Sequence, residues 1–174
     1  KEALGKSSRG LYGDVIQEID KGVGEILQAL KEEGLDKNTL VVFTSDNGPS
    51  IAANEQGGSA GLLKAGKGTT WEGGMREPTI FWSPSKIAHS IVDHMGSTMD
   101  LFHTFSKMAG VSLPKDRILD SYDLRPLLFK NQKGERDHLF YYRGTELYAL
   151  RMGDFKAHYK TQGTYGINGE KEIH

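Results

Sequence analysis

The 174-residue chain carries 22 Lys plus Arg against 23 Asp plus Glu, a formal net charge of -1 at pH 7, with 37% hydrophobic residues and 22 glycines. That balance argues against a nucleic-acid binder, which needs a basic face to neutralise phosphates, and fits a globular chain long enough to bury a core. No apolar run approaches the roughly 18 residues of a membrane-spanning helix, and the absence of Cys excludes disulfides, thiolate zinc sites and a cysteine nucleophile.

The chain starts at Lys1 without a leader, and a helical pattern begins almost at once, so it is expected to be cut from something longer. Tyr12, Val15, Ile16, Ile19, Val23, Ile26, Leu27 and Leu30 follow i, i+3, i+4, i+7 spacing, which predicts a helix of about six turns from Leu11. Gly34 stands where a C′ glycine would end it. Gly22 and Gly24 weaken its interior by up to about 1 kcal/mol each, so it is expected to rely on packing against a sheet. After the turn residues Asp36-Lys37-Asn38, the unbroken apolar run Leu40-Val41-Val42-Phe43 predicts a strand buried on both faces. Helix, short turn and buried strand together form the unit of an α/β sheet. The polar cluster Thr44-Ser45-Asp46-Asn47-Gly48-Pro49 then lies just past the strand's carboxyl end, where open α/β sheets hold ligands.

Residues 48–77 read as a long Gly-rich loop with little periodicity, and a structureless stretch of that length is usually functional or disordered. Thr79–Trp82 reads as a short strand, and the segment Gly96–Gly110 as a second helix through Met99, Leu101, Phe102, Phe105 and Met108. Leu139–Tyr142, Leu147–Met152 and Phe155–Tyr159 are short, aromatic and separated by Arg143-Gly144 and Gly153-Asp154, which predicts an antiparallel meander. A composition change near Lys130–Arg136 divides the chain into expected portions 1–134 and 135–174.

Asp46 and Asn47 offer a carboxylate and an amide carbonyl, hard oxygen donors suited to Ca²⁺ or Mg²⁺. On spacing alone an Asx turn is the simpler reading, because two ligands cannot complete a shell of about six to eight oxygens. The segment Gly61–Lys67 satisfies G-x-x-x-x-G-K, but Gly68 replaces the magnesium-binding hydroxyl and no helix pattern follows, so a nucleotide loop is rejected. What survives is Lys67 on a glycine-flanked loop, able to approach an anion. Ser83-Pro84-Ser85-Lys86 fails the test for a serine converted to formylglycine, Arg76 reads as a structural ion-pair partner, and the six histidines show no metal-ligand spacing.

The combination is more specific than its parts. Tyr12–Asp20 leads to Asn38–Gly48, followed by Glu55-Gln56-Gly57-Gly58-Ser59, Gly66-Lys67-Gly68-Thr69-Thr70, Glu72-Gly73-Gly74-Met75-Arg76-Glu77-Pro78, Met99–Phe102, Phe140–Gly144 and Lys156-Ala157-His158. In this order the segments resemble the sulfatase family of the alkaline-phosphatase-like superfamily, over nearly the whole chain. The resemblance implies an α/β fold: part of an alkaline-phosphatase-like sheet flanked by helices, with a small C-terminal antiparallel α+β subdomain. It implies that Asp46 and Asn47 are ligands of a single divalent ion, Ca²⁺ or alternatively Mg²⁺, and that Lys67 is catalytic and contacts a sulfate ester.

The implied activity is sulfuric ester hydrolysis, with a sulfated carbohydrate as the expected substrate. The family's nucleophile is a hydrated formylglycine, expected in an N-terminal portion absent from this chain. The chain therefore reads as one wall of the site, inactive alone, whose expected partner is that missing portion or another chain. A phosphate- or phosphonate-ester hydrolase of the same superfamily, and a non-catalytic metal- or sugar-binding remnant, are the alternatives. The family compartments are periplasmic or secreted in bacteria, or lysosomal.

Overall fold

A computed structural model of the chain describes residues 2–161 and residue 163. It divides into two compact units, one running through Ser85 together with the described residues from Tyr159 on, the other Lys86–His158. The composition change near residue 130 falls inside the second unit. The part of the 135–174 portion comprising residues 162 and 164–174 lies outside the described residues.

The first unit opens with helix α1, Gly10–Glu32. No side chain caps its N-terminus. Instead Asp14, one turn in, accepts three backbone N–H groups of the preceding loop, from Gly5, Lys6 and Ser7, at 2.7, 3.1 and 2.8 Å. At the other end Gly34 adopts φ +66°. The Leu35 and Gly34 amides then donate to the Leu30 and Lys31 carbonyls at 2.8 and 3.1 Å, the Schellman stop expected from the sequence. The helix packs on two 3₁₀ turns, Asp36–Asn38 and Ile51–Gln56. Its apolar stripe is nevertheless open: Leu11, Val15, Ile16, Ile19 and Ile26 are 46–59% exposed.

Strand β1, Val41–Thr44, pairs antiparallel with β2, Thr79–Trp82, in the register Val41↔Trp82 to Thr44↔Thr79. One expectation changes here. Among the described residues β1 lies in a two-stranded antiparallel ladder, and it is not buried on both faces, because Phe43 and Ile80, partners in the register, are 42% and 60% exposed. The apolar run records a demand for cover, and no described residue meets it on that face. The 48–77 segment is likewise not structureless: it holds the Ile51–Gln56 turn and the short helix α2, Glu72–Met75.

The second unit contains α3, Asp100–Met108, α4, Arg125–Lys130, and the meander β3, His138–Arg143, β4, Glu146–Met152, and β5, Phe155–His158. The meander is antiparallel in the order β3-β4-β5, as expected, with turns at Gly144 and Gly153, both at positive φ. Helix α3 starts later than the pattern predicts, because Asp100 turns its carboxylate back to accept the Ser97 amide at 2.8 Å and so defines the first turn. Helix α4 has no sequence-level signature, being too short to show periodicity.

Leu124, Leu127, Tyr141, Tyr148 and Ala149 form the buried apolar set of this unit. Beside them Arg136 holds Asp100 bidentately, Nε to Oδ2 at 3.1 Å and Nη2 to Oδ1 at 2.7 Å, both side chains being essentially inaccessible. Burial alone pulls the Arg136 guanidinium pKa down, but Asp100 and then Asp120 outweigh it and the group is held above its ordinary value.

Candidate functional site

The site grows from the ends of the β1–β2 ladder. The Thr44 and Thr79 hydroxyls hydrogen-bond across it at 2.8 Å. Ser45 Oγ then donates to the Asn47 carbonyl at 2.9 Å, folding Asp46-Asn47 into a tight turn. Beyond the turn the Gly48 amide donates to the Gly74 carbonyl of α2 at 3.0 Å, so the two chains remain side by side past the last ladder pair.

Three loops meet at this point, and glycine lets them. The Lys67 amide donates to the Pro49 carbonyl at 2.9 Å, and the Gly73 amide to the Lys64 carbonyl at 2.8 Å. A Cβ at Gly48 would lie 1.8 Å from the Gly73 carbonyl oxygen, one at Gly66 2.5 Å from that of Pro49, and one at Gly73 2.2 Å from that of Ala65. Ala65 itself sits at φ +62°, a region non-glycine residues rarely occupy. Thr69 closes the lysine loop, its Oγ1 donating to the Gly66 carbonyl at 2.9 Å. Residues 68–71 form turns and bends, and the four-residue helix α2 then begins at Glu72, where the sequence pattern suggests no helix.

The backbone thus ties the Lys67 loop to the Asp46-Asn47 turn. The side chains remain free for other partners: Asp46 and Lys67 are exposed, Asn47 is half-buried, and Lys67 makes no ion pair with a described residue. Beside them opens a depression of about 400 Å³ lined by Pro49, Ser59, Leu63, Arg76 and Glu77 among others. Arg76, read from the sequence as an ion-pair partner, pairs with no described residue.

Glu77 had no assigned role in the sequence reading. Its Oε1 is buried without a hydrogen-bond partner. Burial first, and then the charge of Asp46, raises its carboxyl pKa above the ordinary value. Local sequence carries no signal for this, since the two acids are neighbours only once β1 and β2 pair.

Among the described residues no group of three or more His, Cys, Asp and Glu side chains is arranged to hold a metal ion. The donors present are hard oxygens, with an orphaned buried carboxylate oxygen on Glu77 and the like charge of Asp46 close by. Such a set fits a Ca²⁺- or Mg²⁺-type ion and can fill only part of its shell.

Two family models match the chain: "Sulfatase" over residues 1–111 and "C-terminal region of aryl-sulfatase" over residues 134–174. The N-acetylgalactosamine-6-sulfatase of Mus musculus is 51% identical over 160 residues, covering 91% of this chain and 31% of its own length. Arylsulfatase A of Homo sapiens is 43% identical over 166 residues, covering 91% of this chain and 32% of its own. Among solved structures, the PsFucS1 sulfatase from Pseudoalteromonas sp. superposes with a TM-score of 0.84 at 32% identity, over 92% of this chain and 33% of that one. The chain spans about a third of the length of the relatives it matches.

Proposed function

The chain belongs to the sulfatase family, and from that premise we propose that it carries one wall of the active site of a sulfuric ester hydrolase acting on a sulfated carbohydrate. The observation that carries the reading is the 2.9 Å bond from the Lys67 amide to the Pro49 carbonyl, which couples the cationic loop to the Asp46-Asn47 turn. The name of the N-acetylgalactosamine-6-sulfatase relative supports a sugar substrate.

On this reading Asp46 and Asn47 hold a divalent ion, Ca²⁺ or alternatively Mg²⁺, by their side-chain oxygens. When bound, the ion supplies Lewis-acid neutralisation of the sulfate oxygens. The Lys67 ammonium binds a sulfate oxygen and stabilises charge that grows as the ester bond breaks. The glycine-packed backbone fixes both groups in advance, so little reorganisation is required during reaction. The formylglycine nucleophile belongs to a portion outside these 174 residues, and this chain alone turns over no sulfate ester.

The test is a chromogenic sulfate ester assay. In the complete protein carrying this segment, Lys67→Ala is expected to lower kcat/KM by about 10²–10³-fold. Unchanged turnover would remove Lys67 from the chemistry, and metal-dependent turnover by the isolated chain would refute the partial-site reading.

A further inference from the structure

Arg117, Arg125 and Arg136 each hold a carboxylate at 2.7 Å. Arg76 does not: it is exposed and forms an ion pair with no described residue, its neighbour Glu77 included. Its backbone is nevertheless fixed. The Arg76 amide donates to the Glu72 carbonyl at 2.8 Å where α2 ends, and Pro78 and strand β2 follow at once. Two further bonds tie α2 to the site, from the Gly73 amide to the Lys64 carbonyl at 2.8 Å and from the Gly48 amide to the Gly74 carbonyl at 3.0 Å. The base of Arg76 is thereby set relative to both the Lys67 loop and the Asp46-Asn47 turn. Arg76 also lines the depression of about 400 Å³, a volume within the range of about 300–1,000 Å³ found for small-molecule sites. Pro49, Leu63 and Pro78 give that depression apolar surface, and Ser59 and Glu77 give it hydrogen-bonding groups. Such a lining suits a sugar ring, which presents C–H faces and hydroxyl edges. An unpaired guanidinium adds a site for an oxyanion, which its planar fork binds through two parallel hydrogen bonds.

We propose that the depression is the subsite for the sugar next to the sulfated one, and that Arg76 binds an anionic group on that neighbour, a carboxylate or a second sulfate. The inference rests on the sulfated-carbohydrate reading given above and adds a specificity-determining residue to it. Lys67 and Arg76 then recognise two anionic groups of one substrate from two loops held together by backbone bonds. Ser59 and Glu77 supply acceptors for the ring hydroxyls. Arg76 acts away from the bond that breaks, so it stabilises ground state and transition state alike and its effect falls on KM.

The experiment is steady-state kinetics of the complete protein carrying this segment. The substrates are N-acetylgalactosamine 6-sulfate alone, and the same sugar linked to a neutral hexose, to a hexuronate or to a second sulfated hexose. Parent, Arg76→Ala and Arg76→Lys are compared with Lys37→Ala, which removes an exposed cation from the Asp36–Asn38 turn as a charge control. Circular dichroism confirms that each variant is folded. The parent is expected to prefer an anionic neighbour over the neutral one by about 10–100-fold in kcat/KM, carried by KM. Arg76→Ala should abolish the preference, Arg76→Lys should retain part of it, and Lys37→Ala should keep it whole. Whether hexuronate or second sulfate gives the larger preference identifies the anionic group. A parent that turns over the sulfated sugars without preference would overturn the inference and leave the sulfated-carbohydrate reading standing, and that comparison needs no variant. A loss in Arg76→Ala by the same factor on all four substrates would make Arg76 a structural residue and also overturn it. A parent that releases sulfate from none of these sugars would overturn the sulfated-carbohydrate reading, and this inference with it.

Discussion

Replacing glycine by alanine at two positions of the first unit should have opposite signs, for reasons visible atom by atom. At Gly48 the new Cβ would lie 1.8 Å from the Gly73 carbonyl oxygen, about 1.5 Å inside ordinary contact. The loop must withdraw, and the 3.0 Å Gly48–Gly74 bond goes with it. Overpacking of this kind costs about 1–3 kcal/mol and the lost backbone bond about 1 kcal/mol, so Gly48→Ala should destabilise the unit by about 2–4 kcal/mol. At Gly22, inside α1, a Cβ meets nothing within 4 Å. There the only change is helix propensity, and Gly22→Ala should stabilise by about 0.8–1.0 kcal/mol. Urea unfolding followed by tryptophan fluorescence reads both variants, since Trp71 and Trp82 are the chain's two tryptophans and both lie in the first unit. A Gly48→Ala protein within about 0.5 kcal/mol of the parent, the range of an ordinary surface change, would refute the close packing of the three loops.

In the second unit, Arg136→Met strands the buried Asp100 carboxylate and should cost about 3–5 kcal/mol. Hydrogen exchange at the Ser97 and Tyr122 amides, which donate to Asp100 at 2.8 and 2.9 Å, reports the loss; unchanged protection would contradict it. Asp14 is held below its ordinary carboxylate pKa by the amides of Ser7, Gly5 and Lys6, with burial opposing. Its contribution is therefore present above the unfolded value near about 3.9 and is lost as pH falls through the folded value. The stability gap between parent and Asp14→Asn should be widest near neutrality and close below that window; a gap unchanged by acid would exclude the mechanism.

The local elements were legible in the sequence wherever a short-range pattern determines them. The α1 stripe and its Gly34 stop, the Thr79–Trp82 strand, and the meander turning at Gly144 and Gly153 all follow from spacing and turn chemistry within a few residues. Asp46, Asn47 and Lys67 were also nominated there, by residue type and by the order of the motifs. Helix α4 escaped because six residues are too few to show a period. Burial of β1 on both faces was misread for a different reason: an apolar run reports what a segment needs, whereas exposure depends on which segments come to cover it. Phe43 and Ile80 have that need and remain open among the described residues.

By itself the sequence determined the propensities, the stops and the chemistry available at each position. The tertiary structure alone decided that β1 pairs antiparallel with β2, a pairing that brings the charge of Asp46 to bear on Glu77, 31 positions away along the chain. It likewise decided that Gly48, Gly66 and Gly73 pack backbone on backbone, and that Arg136 closes on Asp100 from 36 residues away. Local preference acts over one or two turns of chain. Register, like-charge confrontation and buried pairing arise only when distant segments are brought into contact, and at such a contact the candidate site is assembled.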